Sequence, residues 1–400
     1  VCSKNTICIP IQFFYLTIKS IMVDKRPAML VLDQWAKVDS SIGTSKNWLY
    51  KGLGEKFNVS VINADNGFFT IKQNQFLNIS KSIFKNPFGF KKEYFQCLEH
   101  RPKYPQSFLN RTKRFQKAVK NLHSHFDMVL QIGCLFGPVF LPGAIQCSYH
   151  DQTVAMVERG WAEWLPRNFV QFRDSWMQLE TKSLQAKNFV FTYSECTRQS
   201  MIADYGITAD RVIVMPTACK LPFPGLETIA KPREDKLLFV STDFYRKGGD
   251  VVFDAFRMLR STHPTLKLHI VGGAPPIPLP EGATYLGVLS QGQLMQEYLT
   301  STLIVHPARY DAFPNVLKEA QACGLPAIAS SSLGIPEIVI HGRNGLVVPQ
   351  IDPAVFAENI LDLIDDSTTL YQMRRACSED RNRFQPEHCI NRMTSILLND

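Results

Sequence analysis

Two carboxylates stand eight positions apart in YDAFPNVLKEAQACGLPAIAS: Asp311, and then Glu319 beyond a Phe-Pro-Asn turn. Upstream, Arg246 and Lys247 precede a pair of glycines in TDFYRKGG. Carboxylates accept hydrogen bonds from hydroxyl groups, and two cations beside a helix N-terminus suit a diphosphate. Each feature alone has an ordinary alternative. Glu319 reads as a solvated helix carboxylate, Asp311 as a loop or capping residue, and the two cations as solvated loop side chains. The chemistry depends on whether the surrounding elements bring these groups together.

The local pattern says that they do. TLIVHP (302–307) is a short apolar, β-branched run and reads as a buried strand. Pro314 suits the first turn of a helix, where a missing N–H costs nothing. Val316, Leu317, Ala320 and Cys323 recur at helical spacing, Gly324 and Pro326 stop the helix, and PAIAS resumes as a strand. Asp311 then lies in a strand-to-helix loop, with Glu319 about one turn into the helix. In a parallel α/β sheet such loops form the carboxyl edge, where ligands bind. KLLFVS (236–241) reads as a strand that delivers Arg246 and Lys247 to the same edge. A helix follows, with Val251, Val252, Ala255, Phe256 and Leu259 on one face.

The same alternation runs through most of the 400 residues. AMLVLD, VSVIN, MVLQIG, AIQCSYH, FVFTYS and RVIVMP read as strands in the first half, and LKLHIVGG and ATYLGVL in the second. GTSKNWLYKGLGEKF and RFQKAVKNLHSHF read as helices. DPAVFAENILDLIDD opens with an Asp N-cap and a Pro at the first helical position. This is a doubly wound α/β pattern, repeated twice. The boundaries read as an N-terminal extension over 1–26, a first Rossmann-like domain over 27–220, a Pro- and Lys-bearing linker over 221–235, a second Rossmann-like domain over 236–385, and a terminal helix over 386–400 that can cross back to the first domain. A cleft between two such domains is a natural ligand site.

Composition narrows the partners. Residues 1–230 hold 28 Lys and Arg against 17 Asp and Glu, a balance of +11, and residues 231–400 hold 16 against 19, a balance of −3. The excess concentrates in 81–120, with 11 basic residues against Glu93 and Glu99. This stretch reads either as a solvated basic surface or as a site for an anionic acceptor or membrane surface. The ten cysteines are scattered, with no C-x-x-C and no Cys/His cluster, which argues against a zinc site and for a reducing, cytoplasmic compartment, with membrane association left open by the basic stretch. TICIPIQFFYLTI (6–18) is too short to span a bilayer and lacks a nearby small-residue cleavage site. The folded chain is therefore expected to begin near Met22 or later, with a weak membrane-surface anchor as the competing reading. GLGEKF (52–57) lacks the third glycine and the preceding strand of a dinucleotide fingerprint. No nucleic-acid partner is expected.

Taken in order, DFYRKGG…DAF, LHIVGG and HPARYDAFPNVLKEAQACGLPAIASSSLGIPEIVIHGRNGLVV resemble the donor-binding domain of family 4 retaining glycosyltransferases of GT-B architecture. NFVFTYSECTRQSMIADYGITADRVIVMPTACKLPF is similar to the stretch that closes that family's N-terminal domain. The resemblance covers 185–365 well and 28–184 loosely. It implies that Glu319 hydrogen-bonds the nucleotide ribose and that Asp311 lies by the donor sugar. It implies that Phe313, Pro314, Asn315 and Val316 form the turn that approaches sugar and phosphates, and that Lys247 binds the diphosphate before Gly248, with Arg246 as helper. It matches His150 to a first-domain histidine near the reacting carbon and Gly43 to the glycine loop after the first strand. Two positions depart from the pattern. The family usually has Glu where Asp311 stands, one methylene longer, and its upstream arginine has no counterpart in 236–245.

The resulting expectation is a GT-B hexosyltransferase that takes a sugar from a UDP-, GDP- or ADP-linked donor to a glycan, lipid-linked or other hydroxyl acceptor, with retention and with no cofactor. No DxD motif occurs to hold a metal. Fixed cations and helix N–H groups would stabilise the leaving phosphate instead. A non-catalytic nucleotide-sugar-binding protein and a glycan phosphorylase fit the same scaffold.

Overall fold

The structure is a computed structural model that describes residues 26–33, 47–62, 103–120, 122, 124–229 and 234–398. Gly43, residues 1–25 of the N-terminal extension and the 81–102 part of the basic stretch lie outside the described residues.

Among the described residues, two six-stranded sheets, parallel throughout, form the framework. The first contains β1 (Ala28–Asp33), β2 (Asn58–Ile62), β3 (Met128–Ile132), β4 (Ile145–His150), β5 (Phe189–Thr192) and β6 (Val212–Val214), in the order β2-β1-β3-β4-β5-β6. The second contains β7 (Lys236–Ser241), β8 (Lys267–Gly272), β9 (Ala283–Gly287), β10 (Leu303–His306), β11 (Ala327–Ser330) and β12 (Gly345–Val348), in the order β12-β11-β10-β7-β8-β9. Helices on both faces explain why these strands read as continuous apolar runs instead of alternating ones. All six residues of KLLFVS are buried, the lysine included.

The helices follow their caps. Asp352 accepts from the N–H groups of Ala354 and Val355 and opens helix Pro353–Asp365. Helix Gly249–Arg260 buries Val251, Val252, Ala255, Phe256 and Leu259, as its periodicity requires. Gly324, at φ 65°, ends helix Asn315–Ala322.

Three elements differ from the sequence reading. The basic helix spans Pro105–Lys120, earlier at both ends than the RFQKAVKNLHSHF reading, because Phe108 and Arg111 extend the buried face of Phe115 and Val119 toward its start. GLVV pairs as strand β12, a four-residue edge too short to show a period. Ser367–Asp380 is a further helix, with Asp366 capping its first turn.

After β6 the chain passes to the second sheet through a segment that includes the short helix Leu226–Ile229. It returns at its end. Helix Pro386–Leu398 places Ile390, Met393 and Leu397 in one core with Met29, Leu49 and Leu53 of the first domain.

Candidate functional site

In the second sheet the chain leaves β7 toward β8 and leaves β10 toward β11, while β7 and β10 lie side by side. The connections therefore diverge from this pair, which is the switch point where an open α/β sheet forms a crevice. The loop after β7 carries Arg246 and Lys247, and the loop after β10 carries Asp311. A cavity of about 700 Å³ opens there, faced by residues 132–133, 149, 151–152, 161 and 193 of the first domain. Arg246, Lys247, Asp311, Phe313, Pro314, Asn315, Val316 and Glu319 all line it.

At its centre Asp311 Oδ2 accepts hydrogen bonds from Lys247 Nζ and, at 3.1 Å, from His306 Nε2. Burial would raise the Asp311 carboxyl, but the His306 hydrogen bond and the Lys247 charge outweigh it and hold it at about 2. Burial lowers Lys247, against the opposing pull of Asp311. Burial also lowers His306, which keeps the ring neutral. Asp311 Oδ1 has no partner among the described residues.

Glu319 is 6% exposed and accepts from Tyr298 Oη at 2.9 Å. Burial raises its carboxyl, opposed by Tyr298 and by the charges of Lys220 and Lys318. Lys220, exposed on the crossing segment, lines the same cavity. Pro314 takes the N-cap position of helix Asn315–Ala322, so the first N–H groups of that helix have no intrahelical acceptor at the cavity wall.

Arg246 is anchored through Nε to Asp243 Oδ2 at 2.7 Å and through Nη1 to the Tyr310 carbonyl at 3.0 Å. Gly248 shapes the loop without facing the cavity. It holds φ 76° at the start of helix Gly249–Arg260, and a Cβ there would lie 2.2 Å from the Pro307 carbonyl oxygen.

The structure does not bring His150 to the cavity. Its neighbours Tyr149 and Asp151 line the wall, and strand alternation turns His150 to the other face with Gln146 and Ser148. Neither ring nitrogen has a partner among the described residues, and burial, with the Lys187 charge, lowers its pKa to about 3. Sequence reasoning missed His306, Tyr298, Lys220 and Trp161. The only available signal was for His306, the polar residue that ends an otherwise apolar strand. Among the described residues no three His, Cys, Asp or Glu side chains cluster as a metal site requires.

Residues 227–383 match the family model described as glycosyl transferases group 1. A search of solved structures finds sucrose-phosphate synthase from Thermosynechococcus elongatus at TM-score 0.66 and 17% identity, covering 94% of this chain and 99% of that one. The chain has the GT-B fold. Another neighbour, the Anabaena protein Alr3699/HepE in complex with UDP-glucose, aligns at TM-score 0.62 and 14% identity over 93% of this chain and all of that one. In sequence, the D-inositol 3-phosphate glycosyltransferase 1 of Catenulispora acidiphila is 30% identical over 49% of this chain and 53% of its own length. The chain thus spans about half the length of curated relatives such as this one. The family model and the relative are described as glycosyltransferases, and the solved neighbours share this chain's fold.

Proposed function

We propose that the chain is a glycosyltransferase that moves a hexose from a nucleoside diphosphate sugar to a hydroxyl acceptor. The observation that carries this reading is the convergence of Lys247, Asp311 and Glu319 on one interdomain cavity. Glu319, kept in place by Tyr298, accepts hydrogen bonds from the ribose hydroxyls. Lys247 and Arg246, with the free N–H groups at the start of helix Asn315–Ala322, receive the diphosphate. Asp311, tied back through Oδ2, turns its free Oδ1 to a hydroxyl of the donor sugar, and the turn at 313–316 closes around it.

In the reaction the bond from the anomeric carbon to the leaving phosphate oxygen breaks, and a bond to the acceptor oxygen forms. The acceptor proton passes to the leaving phosphate. Negative charge grows on that phosphate, where Lys247 and backbone dipoles stabilise it without a metal or cofactor. Retention of configuration and a positioning role for Asp311 fit this arrangement better than attack by Asp311, whose carboxylate is already shared by two donors. The UDP-glucose held by the Anabaena neighbour favours a UDP-sugar as the first donor to try. The first domain presents a glycan or lipid-linked acceptor, in the cytoplasm or at a membrane surface.

Thermal-shift titration against UDP-, GDP- and ADP-sugars, with Glu319→Ala as control, tests the site, since ligand bound to the folded state raises stability with concentration. The wild type is expected to shift with one nucleotide class and the variant not to. Equal shifts in both, or none in the wild type, would reject the site. A transfer and hydrolysis assay on the binding donor then separates an enzyme from a non-catalytic binder, and turnover that requires inorganic phosphate would mark a phosphorylase.

A further inference from the structure

The seam between the domains closes on Tyr310. This residue stands in the loop after β10, yet its ring is buried in a cluster with Val154, Val157 and Trp176 of the first domain. Its hydroxyl donates to Gln152 Oε1 at 2.9 Å. Gly160 lies so close that a Cβ there would come within 2.6 Å of the ring. The next residue, Trp161, sits with its ring centroid 5.7 Å from that of Tyr310 and 4.3 Å from the guanidinium carbon of Arg246.

Three contacts therefore act on one guanidinium. Asp243 takes Nε and the Tyr310 carbonyl takes Nη1, both from the second domain. Trp161 reaches it from the first domain, across the cleft. Nη2 has no partner among the described residues, in a side chain that lines the cavity with Lys247. A cation above an indole face is attracted to it, more strongly where water is excluded.

We propose that Trp161 is a positioning residue for Arg246. It stacks on the guanidinium and aims Nη2 at the donor's diphosphate, so that this grip is complete only while the first domain is closed. The inference rests on the donor reading given above and adds a residue from the opposite domain to the diphosphate site.

The test measures binding of UDP by isothermal titration and of uridine by ligand-observed NMR, with GDP and guanosine in parallel, on the full chain. Trp161→Leu is expected to weaken the nucleoside diphosphate roughly tenfold and to leave its nucleoside unchanged. Trp161→Phe, which keeps a ring in the packing, is expected to recover most of the loss. Arg246→Ala, with Trp161 intact, is expected to lose at least as much, and adding Trp161→Leu to it is expected to cost nothing further. A general loosening of the fold would weaken diphosphate and nucleoside alike, and that result overturns the proposal. So does an unchanged UDP affinity in Trp161→Leu, or losses that add in the double variant. If the wild type binds no nucleoside diphosphate at all, the donor reading itself falls and this inference falls with it.

Discussion

Asp311 carries two charge-assisted hydrogen bonds on one oxygen and none on the other, and that asymmetry decides what substitutions there should do. Asp311→Asn keeps the shape, removes the charge and frees Lys247 for the phosphates. If the proposed reading holds, turnover is expected to fall roughly a hundredfold while nucleoside diphosphate affinity stays level or improves, since in that reading the lost interaction belongs to the reacting sugar. An equal loss of UDP affinity in a titration would assign Asp311 to the nucleotide instead. Because the folded pKa of about 2 lies below the unfolded value, the Asp311 pairing stabilises the fold at neutral pH, and that contribution is lost as pH falls through about 2. Glu180 has the opposite sign. It lies buried in the first domain, accepting from Tyr205 Oη at 2.5 Å and the Val154 N–H at 3.4 Å, and burial raises it to about 7 against those bonds. The fold binds its proton more tightly than the unfolded chain does, so stability declines as pH rises from about 4.3 to about 7, by on the order of 3 kcal/mol. Glu180→Gln should lack this decline, and its melting temperature should gain on the wild type between pH 5 and pH 7. Parallel melting curves across that range would refute it. The meeting of Asp311, Glu319 and Lys247 at one sheet edge was legible in the sequence because each belongs to a strand-loop-helix unit whose spacing is local. His306, Tyr298 and Trp161 were not, because their roles arise from side chains that meet only after the sheets and domains assemble.

Helix termini join the two domains as well as shaping each one. Glu337, on the short helix Ile335–Ile338, places both carboxylate oxygens 2.8 Å from the Glu195 N–H, and one of them 3.3 Å from that of Cys196. These N–H groups open helix Glu195–Ala203 of the first domain, so a carboxylate from one domain caps the positive end of a helix in the other. Burial raises the Glu337 carboxyl, which the backbone bonds oppose. Glu337→Ala is expected to lower stability by about 1–2 kcal/mol and to let the cleft open. Calorimetry should show the lower melting temperature and small-angle scattering a larger radius of gyration; an unchanged radius would place the closure elsewhere. The elements themselves were legible wherever apolar periodicity or a cap was strong, as in KLLFVS and the Asp352-Pro353 start. Those missed are the polar helix Ser367–Asp380 and the short edge strand GLVV, whose positions come from tertiary packing rather than from a local pattern.

At the scale of the molecule, charge and architecture divide along the same line. The basic excess lies in the half that carries the first sheet, and the half that carries the candidate donor groups is slightly acidic. Helix Pro105–Lys120 shows how the excess is displayed: Phe108, Arg111, Phe115 and Val119 face inward, while Lys113, Lys117 and Lys120 are exposed at helical spacing. Among the described residues no helix is long and apolar enough to cross a membrane. Attachment through a face of exposed lysines would be electrostatic. Three lysines at about 1 kcal/mol each correspond to roughly a hundredfold in affinity for anionic vesicles at low salt, weakening as salt shortens the screening length. Replacing all three with alanine should abolish most co-sedimentation with phosphatidylglycerol vesicles and slow transfer to a lipid-linked acceptor, while donor binding in the other domain stays intact. If the triple variant co-sediments like the wild type, the basic face is a solvated surface, and the acceptor must be recognised by the cavity wall that the first domain contributes.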